Sequence, residues 1–152
     1  MKHIKSITLA AVILLGVTFE AWGASCTVSS GTLNFGGYNM LSGSPLDANG
    51  TISVNCTLSA PYTVSLDAGI NGAGNPNNRK LRLSATAYYL SYNLYRETGR
   101  STVWGDGTSG TYTQAGTGTG ALQNLTVYGR IPAGASVPSG VYNDTITVTV
   151  TY

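Results

Sequence analysis

The chain has 152 residues and a net charge of +2, and only 9% of its side chains are charged, against roughly 25% in ordinary soluble domains. So sparse and balanced a charge gives no electrostatic basis for binding nucleic acid or an anionic membrane surface. Glycine, serine, threonine and asparagine supply the polarity instead, which suits an extracellular structural protein better than a cytosolic enzyme.

Residues 1–23 read as a secretory signal. Lys2, His3 and Lys5 form a positive start, residues 9–17 (LAAVILLGV) an apolar run, and Ala21-Trp22-Gly23 offers small residues to a signal peptidase. Cleavage is expected after Gly23, leaving 24–152 as one domain with one substantial core. The apolar run is short for a transmembrane helix and no other run approaches it, so export without stable membrane insertion is expected. A lipoprotein reading competes, since Gly23-Ala24-Ser25 precedes Cys26. It lacks the large aliphatic residue three before the cysteine, and it would leave Cys56 as an odd thiol. Without Lys2, Lys5 and Glu20, six basic and five acidic side chains remain.

Cys26 and Cys56 are the two cysteines. In an oxidising compartment a bridge between them is the expectation. It would close a loop of about 31 residues, worth roughly 3.5 to 4 kcal/mol in the chain-entropy model. A metal site is a poor alternative with two thiols and no histidine after His3.

In chain order, Val28, Leu33 and Phe35 point inward in a first strand broken by Gly31, Gly36 and Gly37. Residues 41–50 (LSGSPLDANG) read as turn throughout. Residues 51–58 read as a strand with Ile52, Val54, Cys56 and Leu58 on one face, and Tyr62, Val64 and Leu66 continue the alternation. A loop is expected over 67–78. Leu81 and Leu83 then alternate with Lys80 and Arg82, as in a short edge strand guarded by charge. Leu90, Tyr92 and Leu94 mark the next strand. Residues 96–120, rich in glycine and threonine, read as a protruding loop or hairpin. Leu125, Val127 and Ile131 mark a strand ending at Pro132, and residues 133–140 turn the chain into its closing stretch.

That stretch, NDTITVTVTY, places Ile146, Val148, Val150 and Tyr152 on one face and four threonines on the other. An apolar strand closing the sequence is expected to leave one hydrogen-bonding edge unpaired, an aggregation hazard unless another polypeptide covers it. No segment has a sustained helical period. The expected fold class is all-β, an immunoglobulin-like two-sheet sandwich of six or seven strands lacking its final strand. A closed barrel is the alternative.

Three stretches carry a resemblance: CTVSSGTLNFGGYNMLSGSPLDANGTISVNC, YNLYRETGRSTVWGDGT, and LTVYGRIPAGASVPSGVYNDTITVTVTY. Over residues 26–152 the chain resembles the spore coat protein U domain family, which includes subunits of archaic chaperone–usher pili. The resemblance implies a sandwich that takes its missing strand first from a periplasmic pilus chaperone and then from another pilus subunit, with an outer-membrane usher as a further partner. It implies a groove beside the closing strand, with Ile146, Val148 and Val150 as one wall, Val28 opposite, and Tyr152 as an anchor. It implies residence in the periplasm in transit, then at the cell surface, in a fibre serving attachment and biofilm formation. Rod-forming subunits of this kind carry a donor segment ahead of the first cysteine. With the cut after Gly23 only Ala24 and Ser25 precede Cys26, and two strand residues at about 3.3 Å each cannot span a groove. A tip, cap or coat component is therefore expected.

Trp104, in a WGDGTSG turn, has two readings: an exposed aromatic for surface or sugar contact, or a residue packing its turn onto the sandwich. Of the clustered Tyr88, Tyr89, Tyr92 and Tyr95, only an outward pair is free to bind anything. Asp47, Asn49 and Gly50 echo part of a calcium loop, but the other ligands are missing. Four Asn-X-Thr triplets, at Asn49, Asn55, Asn124 and Asn143, are expected by chance in so threonine-rich a chain. No enzyme, metal or cofactor is expected. The lone histidine leaves with the signal, Lys80 and Glu97 are the sole lysine and glutamate after residue 23, and no phosphate-binding loop or nucleophile elbow occurs.

Overall fold

A computed structural model describes residues 23–152; apart from Gly23, the expected signal lies outside the described residues. Ten strands and one 3-10 turn follow in order: β1 (Cys26–Ser30), β2 (Leu46–Cys56), β3 (Pro61–Leu66), the turn Pro76–Asn78, β4 (Lys80–Leu83), β5 (Tyr89–Ser91), β6 (Asn93–Tyr95), β7 (Gln114–Thr117), β8 (Leu122–Ile131), β9 (Tyr142–Asn143) and β10 (Val148–Thr151). The fold is an all-β, immunoglobulin-like sandwich. One layer is the antiparallel sheet β1-β2-β8-β6. The other is divided into β10-β3-β7 and β5-β4-β9, joined by the closing run that contains both β9 and β10.

The alternating residues of β2, β3 and β8 meet between the layers. Ile52, Val54, Cys56, Tyr62, Val64, Leu66, Val127 and Ile131 are all buried, as period-2 patterning requires of strands with one face in a core. Cys26 and Cys56 are bonded to each other and sit opposite in the β1–β2 ladder. The bridge therefore fastens the edge strand to its neighbour.

Several expectations are corrected. Strand β2 begins at Leu46, inside the stretch read as turn. Asp47 stands opposite Arg130 of β8 and accepts from its Nε and Nη2 at 2.7 and 2.8 Å, so a cross-strand ion pair holds turn-forming residues in a ladder. Leu58 lies past the strand and is 75% exposed. Strand β4 is central in its sheet, not an edge. The Leu90–Tyr92–Leu94 alternation is real, but the chain passes from one layer to the other at Tyr92, which separates β5 from β6.

The largest correction concerns residues 96–120. Trp104 is 1% exposed, and its indole Nε1–H donates to the Val64 carbonyl at 3.0 Å. Gly105 accepts from the Leu66 amide, Trp104 donates to the Leu94 carbonyl, and β7 pairs with β3. The segment folds onto the sandwich because a large apolar ring with one polar atom finds both a core and a carbonyl there. Trp104 is therefore unavailable for surface contact.

Arg79 is also 1% exposed. Its Nε and Nη2 donate to the Asp67 carbonyl, Nη2 also to Leu66, and Nη1 to the Asn93 side chain. Burial lowers its pKa from the ordinary arginine value. Yet every donor nitrogen is used, as a buried charge demands.

Candidate functional site: an open seam between the first and last strands

The closing run spends its hydrogen bonds on one side. Val148 to Thr151 pair with β3, the Asp67 and Ile70 amides donate to the Thr147 and Thr145 carbonyls, and β9 pairs with β4. Strand β1 pairs with β2 on one side only. Some Cα atoms of β1 and β10 come within 8 Å, yet among the described residues no ladder joins the two strands. Two strand edges thus face one another across a seam.

Beyond Ser30 the chain leaves the sheet, and the seam widens. Leu33 and Phe35 lie over a floor made by Gly50 and Gly129. A Cβ on Gly50 would stand 3.2 Å from Leu33, and one on Gly129 would stand 2.8 Å from the Phe35 ring. The missing side chains make room for the two apolar ones. A cavity of about 300 Å³ opens here, lined by Leu33, Phe35, Ile52, Tyr92, Ile146 and Val148 among others. A second, of about 620 Å³, continues past Tyr38, Leu90, Val137 and Tyr142. Leu33, Phe35, Leu81 and Asp144 border both.

Of the five seam residues expected from the sequence, Ile146 and Val148 line the first cavity. Val28 and Val150 are half-buried against the core, farther along where β1 and β10 approach. Tyr152 lies past β10 and is 57% exposed. Leu33, Phe35, Leu81 and Asp144 were not expected at the seam. The inward pattern of Leu33 and Phe35 was legible, but not that the chain departs from the sheet edge at Gly31.

Where the closing run lacks a full ladder, at residues 144–147, carboxylates substitute for it. Asp144 Oδ1 accepts from the Ile70 amide and Asn71 Nδ2, at 3.1 and 3.0 Å, and Oδ2 from the Tyr92 hydroxyl at 2.8 Å. Asp67 Oδ1 accepts from the Gly69 and Thr147 amides, both at 2.9 Å. Burial pushes the Asp67 carboxyl up, but the bonds from Thr147 and Gly69 outweigh it and hold its pKa below the usual value. Burial, then the Asp144 carboxylate, raises the Tyr92 phenol above its ordinary value. Chemically the seam offers two lines of unpaired backbone and an apolar trough, which is what an added strand requires.

Among known proteins, the model of the Spore Coat Protein U domain matches residues 11–149. Protein U of Myxococcus xanthus is 39% identical over 143 residues, covering 86% of this chain and 79% of that protein. Among solved structures, the chain is similar to one in the CsuC–CsuE chaperone–tip adhesion subunit pre-assembly complex from archaic chaperone-usher Csu pili of Acinetobacter baumannii. The TM-score is 0.60 at 22% identity, a likeness of fold. It covers 85% of this chain and spans 40% of the other.

Proposed function

The chain belongs to the Spore Coat Protein U domain family, and on that premise we propose that it is an exported structural subunit of an archaic chaperone–usher pilus or surface coat. The observation that carries this reading is the seam: two edges with no ladder between them, over a trough lined by Leu33, Phe35, Ile146 and Val148. A strand added along the closing run beside the two cavities would pair with that edge and bury side chains in them, with β1, which now comes within 8 Å of β10, moving aside to pair on the added strand's other edge. Val28, Ile146, Val148 and Val150 form its flanks, and Tyr152 stands at its end. A periplasmic chaperone supplies the strand first and another subunit replaces it, with an outer-membrane usher handling the exchange. The product is a cell-surface fibre or coat serving attachment and biofilm formation. The role is structural and involves no catalysis.

A cut after Gly23 would leave Ala24 and Ser25 ahead of Cys26, too short to donate a strand, which supports a tip or capping role in this reading. N-terminal sequencing of the exported protein checks this. Ten or more residues ahead of Cys26 would instead make it a shaft subunit.

Co-expression with a cognate chaperone tests the seam. Val148→Asp should abolish co-purification, while Thr149→Asp, on the exposed face, should preserve it. Equal capture of both variants, or a chain that is monomeric and fully stable when made alone, would sink the reading.

A further inference from the structure

Lys80 and Arg82 have no edge to guard, because β4 is the central strand of its sheet. Arg82 stands directly opposite Tyr89 of β5 and Asn143 of β9, and Lys80 opposite Ser91. Residues paired in this way share a face, so Lys80, Arg82, Tyr89, Ser91 and Asn143 form one outward patch. We propose that this patch binds an acidic polysaccharide, one bearing carboxylate or sulfate groups.

Charge is the first support. Six basic residues lie among the described residues. Arg79 is buried on carbonyls and the Asn93 amide, Arg96 donates to the Thr113 carbonyl, and Arg100 and Arg130 both pair with Asp47. Among the described residues, Lys80 and Arg82 have no carboxylate within salt-bridge reach. Arg82 Nε is fixed by the Thr86 carbonyl at 2.6 Å, while its two terminal nitrogens make no hydrogen bond among the described residues. A guanidinium held at its neck with a free fork suits bidentate capture of a carboxylate or sulfate.

The aromatic group is the second. Tyr89 is 42% exposed, and Lys80 Nζ and Arg82 Cζ each lie 5.9 Å from its ring centroid. Both cations stand over the ring near the outer limit of a cation–π contact, and the part of the ring that stays exposed is what the apolar face of a sugar would meet. Ser91 and Asn143 add the hydroxyl and amide that sugar hydroxyls pair with.

Other polyanions fit less well. Affinity for nucleic acid grows with the number of phosphates neutralised, and adsorption to anionic lipid takes clusters of roughly four to eight basic residues. Two cations beside a ring match a spaced acidic sugar. Asn143 also borders the second cavity, but Lys80, Arg82, Tyr89 and Ser91 line neither, and Leu81, Leu90 and Tyr142 lie on the opposite face of the same sheet, so these four stay open when the seam is filled.

Affinity electrophoresis of the exported protein through gels carrying polygalacturonate, heparin or neutral galactan tests the site. Retardation is expected from polygalacturonate (carboxylate recognition), heparin (sulfate recognition) or both, and not from galactan. Lys80→Gln combined with Arg82→Gln should weaken it about tenfold, since two exposed charge contacts are lost. Tyr89→Ala should weaken it and Tyr89→Phe should not, each variant keeping the parent melting temperature. No retardation by either acidic polymer, or equal retardation of the double variant, would overturn the site. So would binding to single-stranded DNA or phosphatidylglycerol vesicles as tight and with the same residue dependence.

Discussion

The two long sides of the sandwich are finished by different means. Beside β3, the arm carrying Trp104 closes the sheet from within: β7 pairs along β3, Gly105 takes the Leu66 amide, and the indole plugs the core beneath Val64. Beside β1, nothing equivalent is present among the described residues, and Ile146, Val148 and Val150 stay half-buried. Completion of a sheet edge needs backbone partners and an apolar anchor together. The molecule supplies both on one side and neither on the other.

The contrast can be broken hardest at its closed side. Trp104→Ala removes the anchor and its bond to the Val64 carbonyl, and should cost about 3 to 5 kcal/mol in urea unfolding. Replacing Cys26 and Cys56 by alanine should cost roughly 3.5 to 4 kcal/mol by the chain-entropy estimate. The loss should centre on β1, measurable as faster amide exchange across the β1–β2 ladder. Asp144→Ala leaves the Tyr92 hydroxyl and the Asn71 side-chain amide without their partner, and should cost about 1 to 3 kcal/mol. Val148→Ala, at the open side, should cost about 1 kcal/mol or less in the free chain because the residue is only half covered. It should cost more once a strand fills the seam, and equal losses in both states would erase the distinction between the sides.

Acid supplies the smallest and most local perturbation. Burial pushes the Glu97 carboxyl up, but hydrogen bonds from Ser101 and Thr102 prevail and set its pKa at about 2. Asp67 is likewise held below its usual value. Groups depressed by folding contribute fully above the unfolded carboxylate value, about 4, and lose that contribution as pH falls through the folded one. Protection of the Thr147 amide, held by Asp67, relative to its intrinsic exchange should fall below about pH 4, while that of the Trp104 indole N–H, held by a carbonyl, should not. If both lose protection together, the carboxylate clasp is not a separate unit.

The strands with clean alternation, β2 after Gly50, β3, β8 and the last residues of the closing run, were legible because one face of each meets the core. So was the Cys26–Cys56 bridge. The soft-looking segments were not. Asp47, Asn49 and Gly50 carry turn chemistry, and the β8 ladder with the distant Arg130 and Arg100 holds them as strand. Residues 96–120 offer one tryptophan in place of a periodic pattern, and a single large side chain can bury an arm that periodicity cannot detect. At the seam, the Ile146–Val148 wall follows from alternation. Leu33, Phe35 and the Asp144 clasp depend on where the chain leaves the sheet, which no local pattern encodes.

Arg79 carries a consequence for how the second layer is built. By occupying the carbonyls of Leu66 and Asp67, its guanidinium gives the last residue of β3 and the one after it a side-chain partner where a continuing strand would otherwise have bonded. The end of β3 is therefore held by a planar fork of donors. A lysine there would keep the charge but lose the fork, so the conservative exchange is the one to expect evolution to refuse.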